Sequence, residues 1–162
     1  MTSSDTKTTS DKPFLIKPVR TTEADYLLHL SDALMNSLYP AESNHLISPE
    51  DVRAKAMVFL GGFCGETCVA CVALMPGHKP GYAEVKRLFV ADDYRGHGYA
   101  RQLMHALDKA ARKSHITCLQ LETGIYQPAS HALYRGLGYH QTAPFGPYKE
   151  DPLSVFFEKQ LD

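Results

Sequence analysis

Between Tyr82 and Lys113 the chain passes from an apolar strand (Val85, Leu88, Phe89, Val90) through the turn Arg95-Gly96-His97-Gly98-Tyr99-Ala100 into an amphipathic helix. Leu103, Met104, Leu107, Ala110 and Ala111 recur at helical spacing, so strand and helix must pack on each other as neighbouring layers. Gly96 and Gly98 lack Cβ atoms, which lets the backbone turn tightly and approach another molecule. They fall where helix amides have no intrahelical partner. Those amides and the positive end of the helix dipole make an anion site. A phosphate-bearing ligand, held between Arg95 and Arg101, is the first expectation.

A chain of 162 residues, 44% hydrophobic and 22% charged, has the size and composition of one ordinary globular domain, with no room for a second catalytic one. Its 17 Lys and Arg against 18 Asp and Glu leave a formal charge of -1, so neither nucleic acid nor membrane is expected as a partner. Any basic excess is local, between Glu84 and Lys113. No apolar run approaches the roughly 20 residues of a membrane span. With no leader-like segment, the cytoplasm is the expected location. Cys64, Cys68, Cys71 and Cys118 lie in or beside apolar stretches and are expected reduced and buried. Cys68 and Cys71 spell C-x-x-C, but odd spacing on a strand sends side chains to opposite faces, so no metal site is expected there.

Residues Met1–Lys12 hold no apolar residue after the initiator, which predicts a disordered polar tail over 1–12 and a single domain over 13–162. Phe14–Val19 reads as a strand. Thr22–Leu38 reads as a helix capped by Thr22, with Tyr26, Leu27, Leu30, Leu34 and Leu38 as its apolar stripe. Ser48 and Pro49 open a short second helix. Met57–Phe63 and Thr67–Met75 form a hairpin about Gly65-Glu66, and a Pro- and Gly-rich loop leads to the central strand. Beyond the central helix come a strand over Ile116–Glu122, a helix over Ser130–Leu137 closed by Gly138, and a last strand over Leu153–Phe157. The order predicts an α/β (α+β) fold, a mixed sheet with helices on both faces.

Two familiar phosphate motifs fail here. A dinucleotide fingerprint needs Gly or Ala where this chain has Arg101, and a P-loop needs a Lys-Ser or Lys-Thr that is absent. The turn instead fits R-x-x-G-x-A. With Leu88-Phe89-Val90 before it, Glu84 eleven residues ahead of Arg95, and Ala132-Leu133-Tyr134-Arg135-Gly136-Leu137-Gly138-Tyr139 after it, the chain resembles the GNAT superfamily of acetyl-CoA-dependent N-acetyltransferases over about Phe14–Leu161. The resemblance implies a mostly antiparallel central sheet and acetyl-CoA as co-substrate, without a metal. It implies that Arg95, Gly96, His97, Gly98, Tyr99, Ala100 and Arg101 cradle the pyrophosphate. Leu88, Phe89 and Val90 would pair with pantetheine. Gln127 stands where the family often has Asn, and would meet a cofactor carbonyl or phosphate.

The same resemblance implies that Glu84 is the general base and Tyr134 the general acid. An alkyl ammonium with a pKa of about 10.4 is only about one part in 2,500 neutral at pH 7, so acetyl transfer to an amine needs a proton acceptor. An ordinary carboxylate is too weak to strip it directly and needs burial or relay waters. The expected reaction is direct attack in a ternary complex by a primary amine of a small molecule or peptide. The variable segments Tyr39–Ile47, Tyr126 and Phe145–Asp151 would select that acceptor. A covalent route through Cys118 and His115 is disfavoured, because residues three apart on a strand face opposite ways. The alternatives are a non-catalytic acyl-CoA-binding module of the same fold and, third, a dehydrogenase. A homodimer is left open.

Overall fold

A computed structural model describes residues 12–162, so the tail expected over Met1–Lys12 lies outside the described residues except at Lys12. Seven strands form one sheet: β1 (Phe14–Pro18), β2 (Val58–Cys64), β3 (Thr67–Pro76), β4 (Tyr82–Val90), β5 (Cys118–Gly124), β6 (His140–Thr142) and β7 (Ser154–Gln160). Their order is β1-β2-β3-β4-β5-β7-β6, and β4 with β5 is the parallel pair in an otherwise antiparallel sheet. Helices α1 (Asp25–Leu38), α2 (Pro49–Lys55), α3 (Tyr99–Lys113) and α4 (Pro128–Gly136) cover the two faces. The mixed, mostly antiparallel α/β architecture expected from the sequence is the one observed. No helix among the described residues is long and apolar enough to cross a membrane.

Each face has its own core. On one, Leu103, Met104, Leu107 and Ala111 of α3 pack with Val72, Leu119 and Phe157, and Tyr134 of α4 joins them. On the other, Leu27, Leu28 and Val52 from α1 and α2 pack with Phe59, Cys71 and Ala73. Each fully buried Leu contributes about 1.5–3 kcal/mol. β3 lies between the two layers and is buried on both sides. Ser48 caps α2 as expected, accepting from the Asp51 amide at 3.1 Å.

Several local expectations are corrected. The buried face of α1 is Leu27, Leu28 and Ser31, with Ala24 of the preceding turn, whereas Tyr26 and Leu30 are 45% and 49% exposed. Ser31, a small polar residue on that face, is a signal that hydrophobicity alone passes over. Thr22 does not cap α1: it opens a 3-10 turn over Thr22–Ala24, and no side-chain cap is present. Cys68 and Cys71 share a face. An extra residue at Val69 interrupts the β2–β3 register, with Gly62 opposite Ala70 and Phe63 opposite Cys68, and this bulge turns Cys68 into the same core as Cys71. Burial pushes both thiols up, Cys68 to about 11, so they are inert core residues. β6, three residues at the sheet edge, carries too short a pattern to be expected. α4 begins two residues before Ser130, with Pro128 at its first position.

Candidate active site

The parallel strands β4 and β5 pair over three positions, Tyr82 with Cys118, Ala83 with Leu119 and Glu84 with Gln120, and then diverge. The divergence opens a cleft of about 680 Å³ beside their carboxyl ends, within the usual range for small-molecule sites. β4 also bulges there. Lys86 pairs with Ala73 and Phe89 with Cys71, which leaves an extra residue on β4, and Arg87 takes a left-handed φ of 62°. The buried Arg87 guanidinium bonds Asp32 of α1 and donates twice to the Ile47 carbonyl, at 2.7 and 3.1 Å. Leu88, Phe89 and Val90 beyond the bulge form one wall of the cleft.

At one end of the cleft stands the start of α3. Gly98 is its N-cap at φ 78°, and the first intrahelical bond runs from the Gln102 amide to the Gly98 carbonyl, after the amides of Tyr99, Ala100 and Arg101. A Cβ added at Gly96 or Gly98 would meet nothing within 4 Å, so the turn stands open to a ligand. The helix start is fixed from behind. Tyr99 stacks on Phe14 with centroids 3.8 Å apart and planes 6° from parallel, and Phe14 lies flat on Gly62, where any Cβ would collide with its ring.

Side chains of the turn are already engaged. Arg95 donates to the Val90 carbonyl at 3.0 Å and pairs with Asp92 at 2.7 Å, so it braces the turn against β4. Arg101 reaches towards Gly136 at the end of α4. His97 is the residue of the turn that does not line the cleft. The carboxamide oxygen of Gln127 accepts from the Gly124 amide and the Tyr39 hydroxyl, both at 3.3 Å.

Glu84 lines the middle of the cleft. The Tyr148 hydroxyl donates to its carboxylate at 2.8 and 3.2 Å, and Lys86 Nζ lies 3.7 Å away. Glu122, on the neighbouring strand, faces the same space. Burial above all pushes its carboxyl up to about 7; Lys86 opposes the shift, and the charges of Glu84 and Asp151 add to it. Tyr134 is buried with its ring 5.8 Å from those of Phe157 and Tyr139, and its phenol is pushed up by burial and then by Glu122. Tyr39 and Tyr126 stack at 5.4 Å along the rim, beside Leu34, Met35 and Leu38 of α1. Cys118 lies outside the cleft, bonded to Glu158 at 3.1 Å, and His115 sits in an exposed left-handed turn.

Glu84, Leu88, Phe89, Val90, Arg95, Gly96, Gly98, Tyr99, Ala100, Arg101, Gln127 and Tyr134 thus meet along one cleft. Glu122 and Tyr148 also line the cleft, and the sequence singles out neither by itself. For Glu122 the available signal is an acid near the end of the strand that follows α3. Tyr148 carried no signal beyond membership of an aromatic loop. Among the described residues no cluster of three His, Cys, Asp or Glu is placed to hold a metal.

A family model for the acetyltransferase (GNAT) family matches residues 24–139. The chain belongs to this family. An "IAA acetyltransferase" of Azospirillum brasilense is 42% identical over 135 residues, covering 83% of this chain and 88% of that protein. Among solved structures, a candidate acyl-CoA N-acyltransferase from Klebsiella pneumoniae subsp. pneumoniae superposes with a TM-score of 0.75 at 32% identity, covering 92% of this chain and 98% of its own. The PaiA N-acetyltransferase of Thermoplasma acidophilum, solved with coenzyme A, superposes with a TM-score of 0.71 over 92% and 99% of the two chains; at 17% identity it shares the fold alone. As a GNAT protein the chain is an N-acetyltransferase, from a family that uses acetyl-CoA.

Proposed function

We propose that this GNAT protein acts in the cytoplasm, as one domain over residues 13–162, and transfers acetyl from acetyl-CoA to a primary amine by direct attack in a ternary complex. One observation carries the reading: Glu84 and Tyr134 line the same cleft that the open helix start of α3 closes at one end. The amides of α3 and its glycine turn would hold the pyrophosphate, with Arg95 bracing the turn and Arg101 at its edge. The NH2 of Gln127, its oxygen being occupied, would donate to the cofactor. Leu88, Phe89 and Val90 would flank pantetheine and offer amides to the oxyanion.

Glu84 would accept one ammonium proton, directly or through water, so that the free amine can attack the thioester carbonyl, whose π electrons become the oxyanion; the second N–H proton would pass to water as the tetrahedral adduct collapses. The C–S bond then breaks and the electron pair leaves with the coenzyme A sulfur. Tyr134 has a phenol made less acidic by its surroundings, so its part is a hydrogen bond to that sulfur more than full proton transfer. Glu122 supports a second assignment of the base, because a carboxyl at about 7 is matched to proton transfer near neutral pH.

Coenzyme A release, followed over an amine panel between pH 6 and 10, tests both. Glu84→Gln should lower kcat by about 10²-fold near neutrality and by less at high pH, where the amine is already neutral. If Glu122→Gln takes that loss instead, the base is Glu122. Acetyl-CoA binding without release for any acceptor would leave the binding module as the correct reading.

A further inference from the structure

The acceptor half of the cleft has two fixed cations, and both are already committed. The Arg87 guanidinium, 3% exposed, is consumed by Asp32 and the Ile47 carbonyl. The Lys86 ammonium donates to the His45 carbonyl at 3.1 Å and to the Tyr148 hydroxyl at 2.9 Å, and turns its remaining side towards Glu84 at 3.7 Å. Two of its three donors are thereby occupied, and the third side faces the Glu84 carboxylate as an ion pair. His45 is exposed and packs edge-on against Tyr148 at 5.2 Å. On the other side of the ledger stand Glu84 and Glu122, with Asp151 held close behind by Ser43 at 2.8 Å and the Leu153 amide at 2.9 Å. The remaining wall is largely apolar, Leu34, Met35, Leu38 and Leu46 closed by the stacked rings of Tyr39 and Tyr126, with Ser31, Ser43 and Asn44 between them.

From this arrangement we infer that the acceptor is a small primary amine carried on an uncharged, apolar or aromatic body, with no carboxylate or phosphate beside the amine. The inference rests on the acetyl-transfer reading and names its substrate class. An anionic group next to the reacting nitrogen would face two carboxylates, and Lys86, the less buried of the two cations, is already set against Glu84. The ammonium itself meets the acids, and its apolar body meets the α1 wall and the tyrosine rim. The anion-binding part of the cleft, at the start of α3, belongs to the cofactor.

The test uses the full chain with saturating acetyl-CoA and a matched pair, phenethylamine and phenylalanine, which differ by one carboxylate. The amine of phenylalanine is less basic, so a larger share is free base and the comparison is biased against the expected result. Coenzyme A release should give phenethylamine a kcat/KM at least about 30-fold above phenylalanine, the scale on which like charges discriminate. Equal or better turnover of phenylalanine overturns the inference and leaves acetyl transfer standing. Protection against heat by phenethylamine with coenzyme A, but no release from either compound, supports amine recognition and overturns acetyl transfer. The absence of both release and protection with phenethylamine overturns the inference.

Discussion

Tyr148 donates its hydroxyl to Glu84 at 2.8 Å from sixty-four residues further along the chain, and the same oxygen accepts from Lys86 Nζ at 2.9 Å. The loop between β6 and β7 is therefore fastened to β4 at the acid proposed as base. Phe145 and Phe156 pack on the Tyr148 ring at 5.1 and 5.5 Å and fix its direction.

Tyr148→Phe keeps that packing and removes the donor. Hydrogen bonds to charged groups are worth about 1.5–3 kcal/mol, so kcat/KM should fall by about 10- to 100-fold. Circular dichroism should be unchanged. Steady-state kinetics equal to wild type would show that Glu84 needs no positioning by Tyr148.

Glu122 ties stability to pH. Its carboxyl lies at about 7 in the folded protein against 4.5 as the reference value. Between these limits the folded state keeps a proton that the unfolded state has lost, so the contribution is greatest below 4.5 and declines as pH rises through 7, by about 3 kcal/mol in all. Glu122→Gln removes this dependence. The variant should melt above wild type at pH 8, with the gap closing towards pH 5; a gap independent of pH would refute the buried-acid account.

Gly98 needs a left-handed backbone, and its Cβ position opens onto the cleft. Gly98→Val strains the turn and places methyl groups where the ligand would lie. The Kd for acetyl-CoA, measured by calorimetry, should rise at least about 10-fold, since the loss exceeds 1.4 kcal/mol. An unaltered Kd would remove the turn from the binding site.

Tyr134→Phe retains the ring that packs on Phe157 and Tyr139 and deletes only the hydroxyl. Turnover should slow by about 10-fold or more with Tm nearly unchanged. Full activity would make Tyr134 a core residue and nothing else.

The parts of the site legible in the sequence are those specified locally. A strand followed by Gly96, Gly98 and an amphipathic stripe states its own geometry, because positive φ and free helix amides depend on neighbouring residues. Glu84 is singled out by the family resemblance, which places an acid eleven residues ahead of Arg95. Glu122 depends on β4 and β5 lying side by side, and Tyr148 on a loop folding back over the cleft; neither relation is periodic along the chain. Cys68 shows how little is needed to reverse a local reading, since one extra residue at Val69 exchanges the faces of a strand.

Arg87 sits at the bulge that shapes the wall of Leu88, Phe89 and Val90, and its buried guanidinium also grips α1 through Asp32 and the segment before α2 through Ile47. The surface that would choose the acceptor is thus bolted to the strand that would present the acetyl group. That joint is a natural boundary for engineering: residues 34–46 could be exchanged for another amine-selecting wall while Asp32, Ile47 and Arg87 keep the new wall in alignment. Arg87 is buried although Asp32 is part-exposed, so a graft that cuts across the pair would leave a buried guanidinium without its counter-charge and destabilise the strand it sits on.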